Sequence, residues 1–349
     1  MIAVLFGAAS ALFFGAADFI GGFASRRIVA MLVTGVAALA GVLALTIAAP
    51  FDGGVWHAET WIGGIATGIA SCLGIWLLYS AYAVGPMTTL SPVVAIVSTV
   101  VPMLAGLATG ETFSPLGWAA VVVGLVAIGL VAAAPDARTS KARPVDMVKA
   151  GLAGAFLGVF YIYLDGGLGN VHVDEAGLTP LMANRITCAV VAFLIVAVLL
   201  VRRRPIVIDT RAADPRSGAP APELFAGSSR GAAVVGDVAG GRPPATAAPL
   251  LAETPGVAAR VSVSPAARRT VLISAVLLAT FSGTLDATAN ALFTFGLGFG
   301  DLAVLSVVSG FYPAVTIALA YLLLRERPNR LQAAGIVLSL ISLVGMSLA

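Results

Sequence analysis

The chain has 349 residues, of which 59% are hydrophobic and only 11% are charged, and its formal net charge is +3. Soluble domains carry about 25% charged residues, so this composition excludes an ordinary soluble domain and favours an integral membrane protein. In a membrane protein a small basic excess reflects loop orientation rather than nucleic-acid binding. Both cysteines lie in apolar stretches and histidine occurs twice, so we expect no disulfide framework, no metal site and no cofactor.

Apolar runs of about 20 residues predict transmembrane helices, because each must cross a hydrocarbon core about 30 Å thick. Continuous runs of this length favour helices over the alternating strands of a barrel. The predicted spans, in chain order, are residues 2–23, 28–49, 61–84, 88–109, 114–134, 149–170, 178–201, 270–293, 302–324 and 330–348. The predicted fold class is therefore an all-α integral membrane protein with about ten transmembrane helices.

The segment at about 203–268 differs from the rest of the chain. It is rich in Ala, Gly, Pro and Ser and has no sustained helical periodicity. Such composition predicts a disordered loop between the seventh and eighth spans. The segment is either a tolerated insertion or a regulatory or partner-binding element.

Lysines and arginines in the connections predict the orientation of the chain. They follow the first span, as Arg26 and Arg27, flank the long loop, and follow the fifth and ninth spans, whereas the connections after spans two, four, six and eight contain none. Positive residues concentrate on the cytoplasmic side of a membrane. We therefore predict a multi-pass protein of the plasma membrane, with the long loop in the cytoplasm and both termini outside.

An internal repeat relates the two halves of the chain. A shift of 215 residues brings Glu111 onto Glu326, and a shift of 147 brings Asp18 onto Asp165. Each copy contains five predicted helices, and an odd number places the copies in opposite orientations. Inverted repeats of this kind are typical of secondary transporters whose site lies near the midplane. The two copies are residues 1–134 and 135–348, the second interrupted by the long loop.

Four stretches resemble a known family. "GETFSPLGWAAVVVGLVAIGL" and "RERPNRLQAAGIVLSLISLVG" resemble the end of an EamA-like repeat, in which a Glu follows the fourth helix and the fifth helix is Gly-rich. "LMANRITCAVVAFLIVAVLL", with Arg185, resembles its second helix, and "FYPAVTIALAYLLLRE", with Pro313 ahead of Glu326, its fourth. The first copy departs from this pattern, with Gly35 or a neighbour at the Arg position and Ser98 at the proline position. The resemblance implies a ten-helix transporter of the drug/metabolite transporter superfamily.

Ionisable side chains within the spans are the first functional candidates, because a charge at the bilayer centre costs about 2.5–3.5 kcal/mol on insertion scales. They are Asp18, Asp165, Arg185 and Asp286. Asp286 has Ser282 and Asn290 one turn to either side on the same helix face. This polar stripe must face a cavity or another helix, and Asp286 is the leading candidate for substrate or proton binding.

Asp18 and Asp165 occupy equivalent places in the first and sixth spans. They are gate or proton-relay carboxylates, with Asp18 near the cytoplasmic side, or they cap helices and make structural hydrogen bonds. Arg185 lies at a depth similar to that of Asp165, so the two can form an ion pair. The alternative is that Arg185 binds a substrate carboxylate.

Two further groups of residues complete the candidates. Cavity lining or anchoring at the membrane edge accounts for the tyrosines Tyr79, Tyr82 and Tyr161. Capping or loop anchoring accounts for Glu111 and Glu326 at helix ends, and Pro313 is expected to kink the ninth span.

The leading functional hypothesis is a secondary transporter that moves a small organic metabolite by alternating access, as an exporter of an amino acid or a drug-like compound, with protons as a candidate coupling ion. A flippase for a lipid-linked substrate and a non-transporting membrane scaffold are the alternatives. An enzyme is not expected, since the sequence carries no nucleophile–His–acid set and no H-E-x-x-H motif. The expected partners are the small-molecule substrate, protons and the lipid bilayer, without nucleic acid.

Overall fold

A computed structural model describes residues 1–84, 87–133, 143–166, 173–202, 265–324 and 330–348. Its regular elements are α-helices. They are α1 (Ile2–Ser25), α2 (Ala30–Asp52), α3 (Ala58–Val84), α4 (Met87–Ala108), α5 (Pro115–Ala133), α6 (Pro144–Leu164), α7 (Val173–Ala176), α8 (Thr179–Val201), α9 (Pro265–Leu297), α10 (Leu302–Ser309), α11 (Tyr312–Leu324) and α12 (Arg330–Leu348).

Within the described ranges, seven helices are long and apolar enough to cross a membrane. They are α1, α2, α3, α6 and α8, together with Leu90–Ala108 of α4 and Arg269–Leu297 of α9. Three shorter apolar stretches, Pro115–Leu130, Leu302–Thr316 and Ala333–Leu348, occupy the other predicted spans. The prediction of an all-α protein that crosses the membrane several times is confirmed, whereas the inverted arrangement of two repeats stays a prediction.

The sixth span ends earlier than the hydropathy predicts. The sequence places it at 149–170, but α6 runs from Pro144 to Leu164 and leaves Asp165 one residue beyond its end. A proline at the first helical position has its φ already set for a helix. The following Gly166 has φ of 96° and supplies the left-handed residue that commonly ends a helix. Placing Asp165 inside the span was therefore wrong.

The eighth span begins before the position predicted for it. Helix α9 starts at Pro265, within the segment of about 203–268 that the composition predicts to be disordered. A proline again opens the helix, where its missing N–H has no helical partner to lose. Residues 203–264 of that segment lie outside the described residues.

The predicted ninth span, 302–324, is two helices rather than one. Helix α10 ends at Ser309 and α11 begins at Tyr312. Pro313 is the second residue of α11 and has no N–H to bond the carbonyl of Ser309, so the helical ladder is interrupted there. Non-helical backbone at membrane depth is tolerated only where it is buried in protein or lines a cavity.

Small residues let the helices approach closely. Helix α1 packs against α9, α2 against α8 and α9, α3 against α6 and α8, α4 against α6, and α5 against α12. A side chain at Gly283 would collide with the backbone of Ala37, so α2 and α9 touch through their main chains. The Ser10 hydroxyl donates a hydrogen bond to the Ala289 carbonyl over 2.9 Å. Close backbone contact and interhelical hydrogen bonds hold membrane helices together, because lipid tails compete for apolar contacts.

Candidate functional site

A cavity of about 60 Å³ lies inside the helix bundle. One water needs only about 10–15 Å³ of such space, so the cavity has room for several waters. Three charged side chains line it: Asp18 from α1, Arg185 from α8 and Asp286 from α9. Six aromatic side chains form much of the rest of the wall: Phe14, Tyr79, Phe160, Tyr161, Phe293 and Tyr312.

Arg185 and Asp286 form a buried ion pair through Nη2 and Oδ2. The Arg185 side chain is 5% exposed and the Asp286 side chain 23% exposed. The feasible pair between Arg185 and Asp165 is thus not formed, because Asp165 lies past the end of α6 while α9 presents Asp286 directly to Arg185. Removing two charges from water is costly, and only their close pairing offsets that cost.

The polar stripe of α9 divides between the cavity and a neighbouring helix. Asn290 lines the cavity and donates from Nδ2 to the Asp286 carbonyl over 2.8 Å. The Ser282 hydroxyl donates instead to the Ala17 carbonyl of α1 over 2.8 Å. The sequence predicts that the stripe faces either a cavity or another helix. Asn290 faces the cavity, and Ser282 faces helix α1.

Asp18 shares the cavity with Asp286. Its Oδ2 accepts a hydrogen bond from the Tyr82 hydroxyl over 3.4 Å. In the part of the chain that the structure describes, no lysine or arginine forms an ion pair with Asp18. The sequence places Asp18 at a gate apart from the central site, whereas the structure brings both carboxylates to one cavity.

The predicted tyrosines occupy different positions around the carboxylates. Tyr79 lines the cavity, and its hydroxyl shares a hydrogen bond of 3.2 Å with the Ser282 hydroxyl. Tyr161 also lines the cavity and packs on Phe293 at 4.5 Å between ring centroids. Tyr82 lies fully buried behind the wall, where it contacts Asp18.

The charges in the cavity do not balance. Two carboxylates and one guanidinium leave an excess of one negative charge when all three are ionised. An unpaired charge in a poorly solvated site is neutralised by a proton or by a cation. Aromatic rings also attract cations over their faces. The cavity therefore favours a proton or an organic cation beside Asp18.

Asp165 and Glu111 do not line the cavity. Burial, the Glu111 carboxylate and the Asp301 carboxylate raise the pKa of Asp165 to about 6. Glu111 accepts hydrogen bonds from the backbone N–H groups of Leu302 at 3.0 Å and Ala303 at 2.9 Å, at the start of α10. Pro313 lies in the first turn of α11, and Glu326 lies outside the described residues.

Several cavity residues carry hydroxyl groups that the sequence did not single out for binding. Ser98 and Thr99 come from α4, and Ser306 and Ser309 from α10, where they are one turn apart. A pair of serines at that spacing ahead of a helix-breaking proline is a detectable signal. It carries little weight without knowing which face of α10 meets the cavity.

The described residues contain no group of three or more His, Cys, Asp or Glu side chains placed to hold a metal ion. The polar groups of the cavity are instead hydroxyls, an amide, two carboxylates and one guanidinium. Such a set can hold polar organic groups through hydrogen bonds and charge.

Comparison with known proteins supplies independent findings. Residues 248–348 match the family model described as the EamA-like transporter family, which implies a membrane transporter of the drug/metabolite transporter type. A search of curated proteins finds no match. One crystal structure of a protein aligns over 99% of this chain and 96% of its own, with a TM-score of 0.61 at 15% identity. At that identity the likeness shows the fold alone.

Proposed function

We propose that this chain, whose residues 248–348 form an EamA-like transporter family domain, is a secondary transporter for a small organic metabolite at the plasma membrane. The observation that carries the proposal is the meeting of Asp18, Arg185 and Asp286 at one cavity inside a bundle of membrane helices. Ionisable residues within a membrane are costly and mark substrate and ion pathways. A non-transporting scaffold does not require ionisable groups around a cavity in its membrane helices.

Alternating access requires two parts that rock around the cavity. If the predicted repeats are exchanged, the contact of α1 with α9 corresponds to that of α6 with α3. The contact of α4 with α6 corresponds to that of α10 and α11 with α1. These matching contacts support two inverted halves with the cavity between them, as in other secondary transporters.

Asp18 is the group proposed to bind the transported charge. It has one excess negative charge to offer, since Arg185 already pairs with Asp286. A proton and a substrate cation cannot both neutralise one carboxylate, so they compete for it. Competition at a site that opens alternately to each side exchanges protons for substrate, which gives export driven by a proton gradient.

The break between α10 and α11 is the proposed hinge. Gly310 and Phe311 connect the two helices beside the cavity. A few residues at helix ends absorb the backbone changes of most hinge motions. A change at this point would move the cavity wall formed by α10 relative to α11.

Reconstitution into liposomes tests the proposal. The wild-type protein is expected to exchange an organic ammonium solute across the membrane faster than protein-free liposomes, and faster when a proton gradient is imposed. Asp286→Asn is expected to lose this transport. Thr284→Val is the matched control, because Thr284 is exposed on the same helix and its hydroxyl bonds only to the Thr280 carbonyl.

The outcomes separate the candidate functions. Background rates for every solute, with scrambling of a lipid-linked probe, would favour the flippase alternative. Background rates for solutes and lipids alike would favour a scaffold. If the transport rate does not depend on the imposed proton gradient, the proposed proton coupling is wrong and the proposed transport stands.

A further inference from the structure

A second polar group lines the cavity, apart from the charged side chains. Its members are the hydroxyls of Thr99, Ser306 and Ser309, here called the hydroxyl cluster. These residues are 1%, 3% and 6% exposed, and the three hydroxyl oxygens have no hydrogen-bond partner among the described residues. Buried hydroxyls are nearly always paired, and leaving one unpaired costs free energy. Three hydroxyls without a protein partner in one wall can bond to a molecule that enters the cavity.

The break in the ninth span places the hydroxyl cluster at the cavity. Ser309 is the last residue of α10, and Gly310 follows it in the connection to α11. A Cβ on Gly310 would collide with the Thr99 hydroxyl, so the glycine lets α4 bring that hydroxyl against the break. Interrupted helices at membrane depth commonly form the substrate sites of transporters.

The distance between the hydroxyl cluster and Asp18 can be measured along helix α1. Val308 packs against Gly7, and the backbone of Tyr312 packs against Gly15, so the break lies beside the stretch between these two glycines. The midpoint of that stretch is seven residues from Asp18, which is on the order of 10 Å along a helix that rises 1.5 Å per residue. A ligand that reaches both ends of the cavity has its two polar groups several ångströms apart.

Aromatic rings occupy the space between the two ends. Phe14 lies edge-on to Tyr161 at 6.3 Å and to Tyr312 at 6.4 Å between ring centroids. All three line the cavity. Rings arranged in this way favour an aromatic or other flat apolar group between them.

We propose that the hydroxyl cluster binds a hydrogen-bonding oxygen group at the far end of an organic ammonium substrate whose ammonium lies at Asp18. This inference rests on the proposed transport function and specifies its substrate class. The substrate has a positive charge at one end, an apolar and preferably aromatic middle, and a hydroxyl or carbonyl group at the other end. A substrate hydroxyl, which donates one hydrogen bond and accepts two, can pair with all three hydroxyls, whereas a carbonyl oxygen can accept from two of them.

Binding of matched compounds to the purified protein tests the proposal. Tyramine has the ammonium, the ring and a distant hydroxyl, and 2-phenylethylamine lacks only the hydroxyl. Calorimetry on the wild-type protein is expected to give a Kd about tenfold lower for tyramine, the worth of a typical hydrogen bond. The ratio of the two affinities is expected to fall to near one in Thr99→Val and in the double variant Ser306→Ala with Ser309→Ala.

Thr34→Val is the matched control for these variants. Thr34 is fully buried in α2, and its hydroxyl already bonds to the Ala30 carbonyl over 3.1 Å. It does not line the cavity, so the tenfold preference for tyramine is expected to persist. Thr99→Val is also expected to melt at or above the wild-type temperature, because its hydroxyl has no partner to lose.

Three results would overturn the proposal: a wild-type protein that binds tyramine no better than 2-phenylethylamine, a preference that persists in all the cluster variants, or a lowered melting temperature for Thr99→Val. The transport function stands even after one of these results, provided that the wild-type protein exchanges another solute and Asp286→Asn does not. Loss of the function itself would appear instead as background exchange by the wild-type protein.

Discussion

Arg185 and Asp286 depend on each other more than on any other group in the cavity. Asp286→Asn leaves a guanidinium that is 5% exposed without its carboxylate. Removing one partner of a buried pair typically costs about 3–5 kcal/mol. We expect Asp286→Asn to lower the free energy of unfolding by about 3 kcal/mol, and the double variant with Arg185→Gln to recover most of the loss.

Melting of the purified protein in detergent measures this coupling. If the double variant loses as much stability as the two single variants together, the pair is not energetically coupled. Arg143→Gln is a suitable control, since the Arg143 side chain is 59% exposed and its partner Asp146 also pairs with Lys149. The Asp146 carboxylate keeps Lys149 as a partner, so this change is expected to be smaller than the loss from Asp286→Asn.

Asp165 gives the stability a distinct pH dependence. Burial, Glu111 and Asp301 hold its pKa at about 6, above the value of 3.8 for an ordinary aspartate. The folded protein therefore binds a proton more tightly than the unfolded chain, and its stability falls as pH rises from about 4 to about 6. Asp165→Asn is expected to remove this part of the fall.

Melting temperatures measured across pH 4 to 7 for wild type and Asp165→Asn check the prediction. The two curves are expected to converge at the acid end and to separate near pH 6, with the variant the more stable. Parallel curves over the whole range would show that Asp165 titrates normally.

Glu111 connects two elements that are distant in sequence. Its carboxylate accepts the first N–H groups of α10, which otherwise have no helical partner. Replacing a capping acceptor by alanine costs about 1 kcal/mol. Glu111→Ala is therefore expected to lower the melting temperature measurably.

Asp301→Ala is the matched control for Glu111→Ala. Asp301 is the residue next to the start of the same helix, but its side chain makes no capping hydrogen bond. It is expected to change the melting temperature less than Glu111→Ala. A larger effect of Asp301→Ala would contradict the cap assigned to Glu111.

At the scale of the helices, the sequence predicts where each span lies but not where each helix ends. Each predicted span overlaps an observed helix, because about 20 apolar residues must bury their backbone in a helix to cross a membrane. Hydropathy alone does not locate a helix end. The end of α6 depends on the left-handed Gly166, and the break after α10 depends on Pro313.

Site residues follow the same division. Charge in an apolar span is visible in the sequence, which is why it names Asp18, Arg185 and Asp286 as candidates, and all three line the cavity. The pairing of Arg185 with Asp286 is not visible there, since depth in the membrane does not say which helix faces which. Hydroxyls such as Thr99 and Ser309 are common in membrane helices, and only the packing reveals that theirs are unpaired.

At the scale of the whole molecule, the distribution of positive charge predicts that the C-terminal end of α12 lies outside the cell. Leu348 is 73% exposed, so Leu348→Cys is expected to react with a membrane-impermeant thiol reagent on intact cells. Arg202→Cys, at the exposed end of α8, is expected to react only after permeabilisation. The native cysteines are both buried.

The opposite labelling pattern would reverse the orientation. It would place the connections rich in arginine outside and the end of α12 in the cytoplasm. The cavity and its charges would be unaffected, but the direction of proton-driven exchange would have to be reassigned.

The central claim of the proposed function is that the Asp18 carboxylate in the cavity binds the transported charge. Exchange of an organic ammonium solute by proteoliposomes containing Asp18→Asn tests it most directly, because this variant removes the unpaired carboxylate and leaves the pair of Arg185 with Asp286 intact. The variant is expected to melt near the wild-type temperature and yet to exchange solute no faster than protein-free liposomes. An Asp18→Asn protein that is equally stable and exchanges solute at the wild-type rate would contradict the claim.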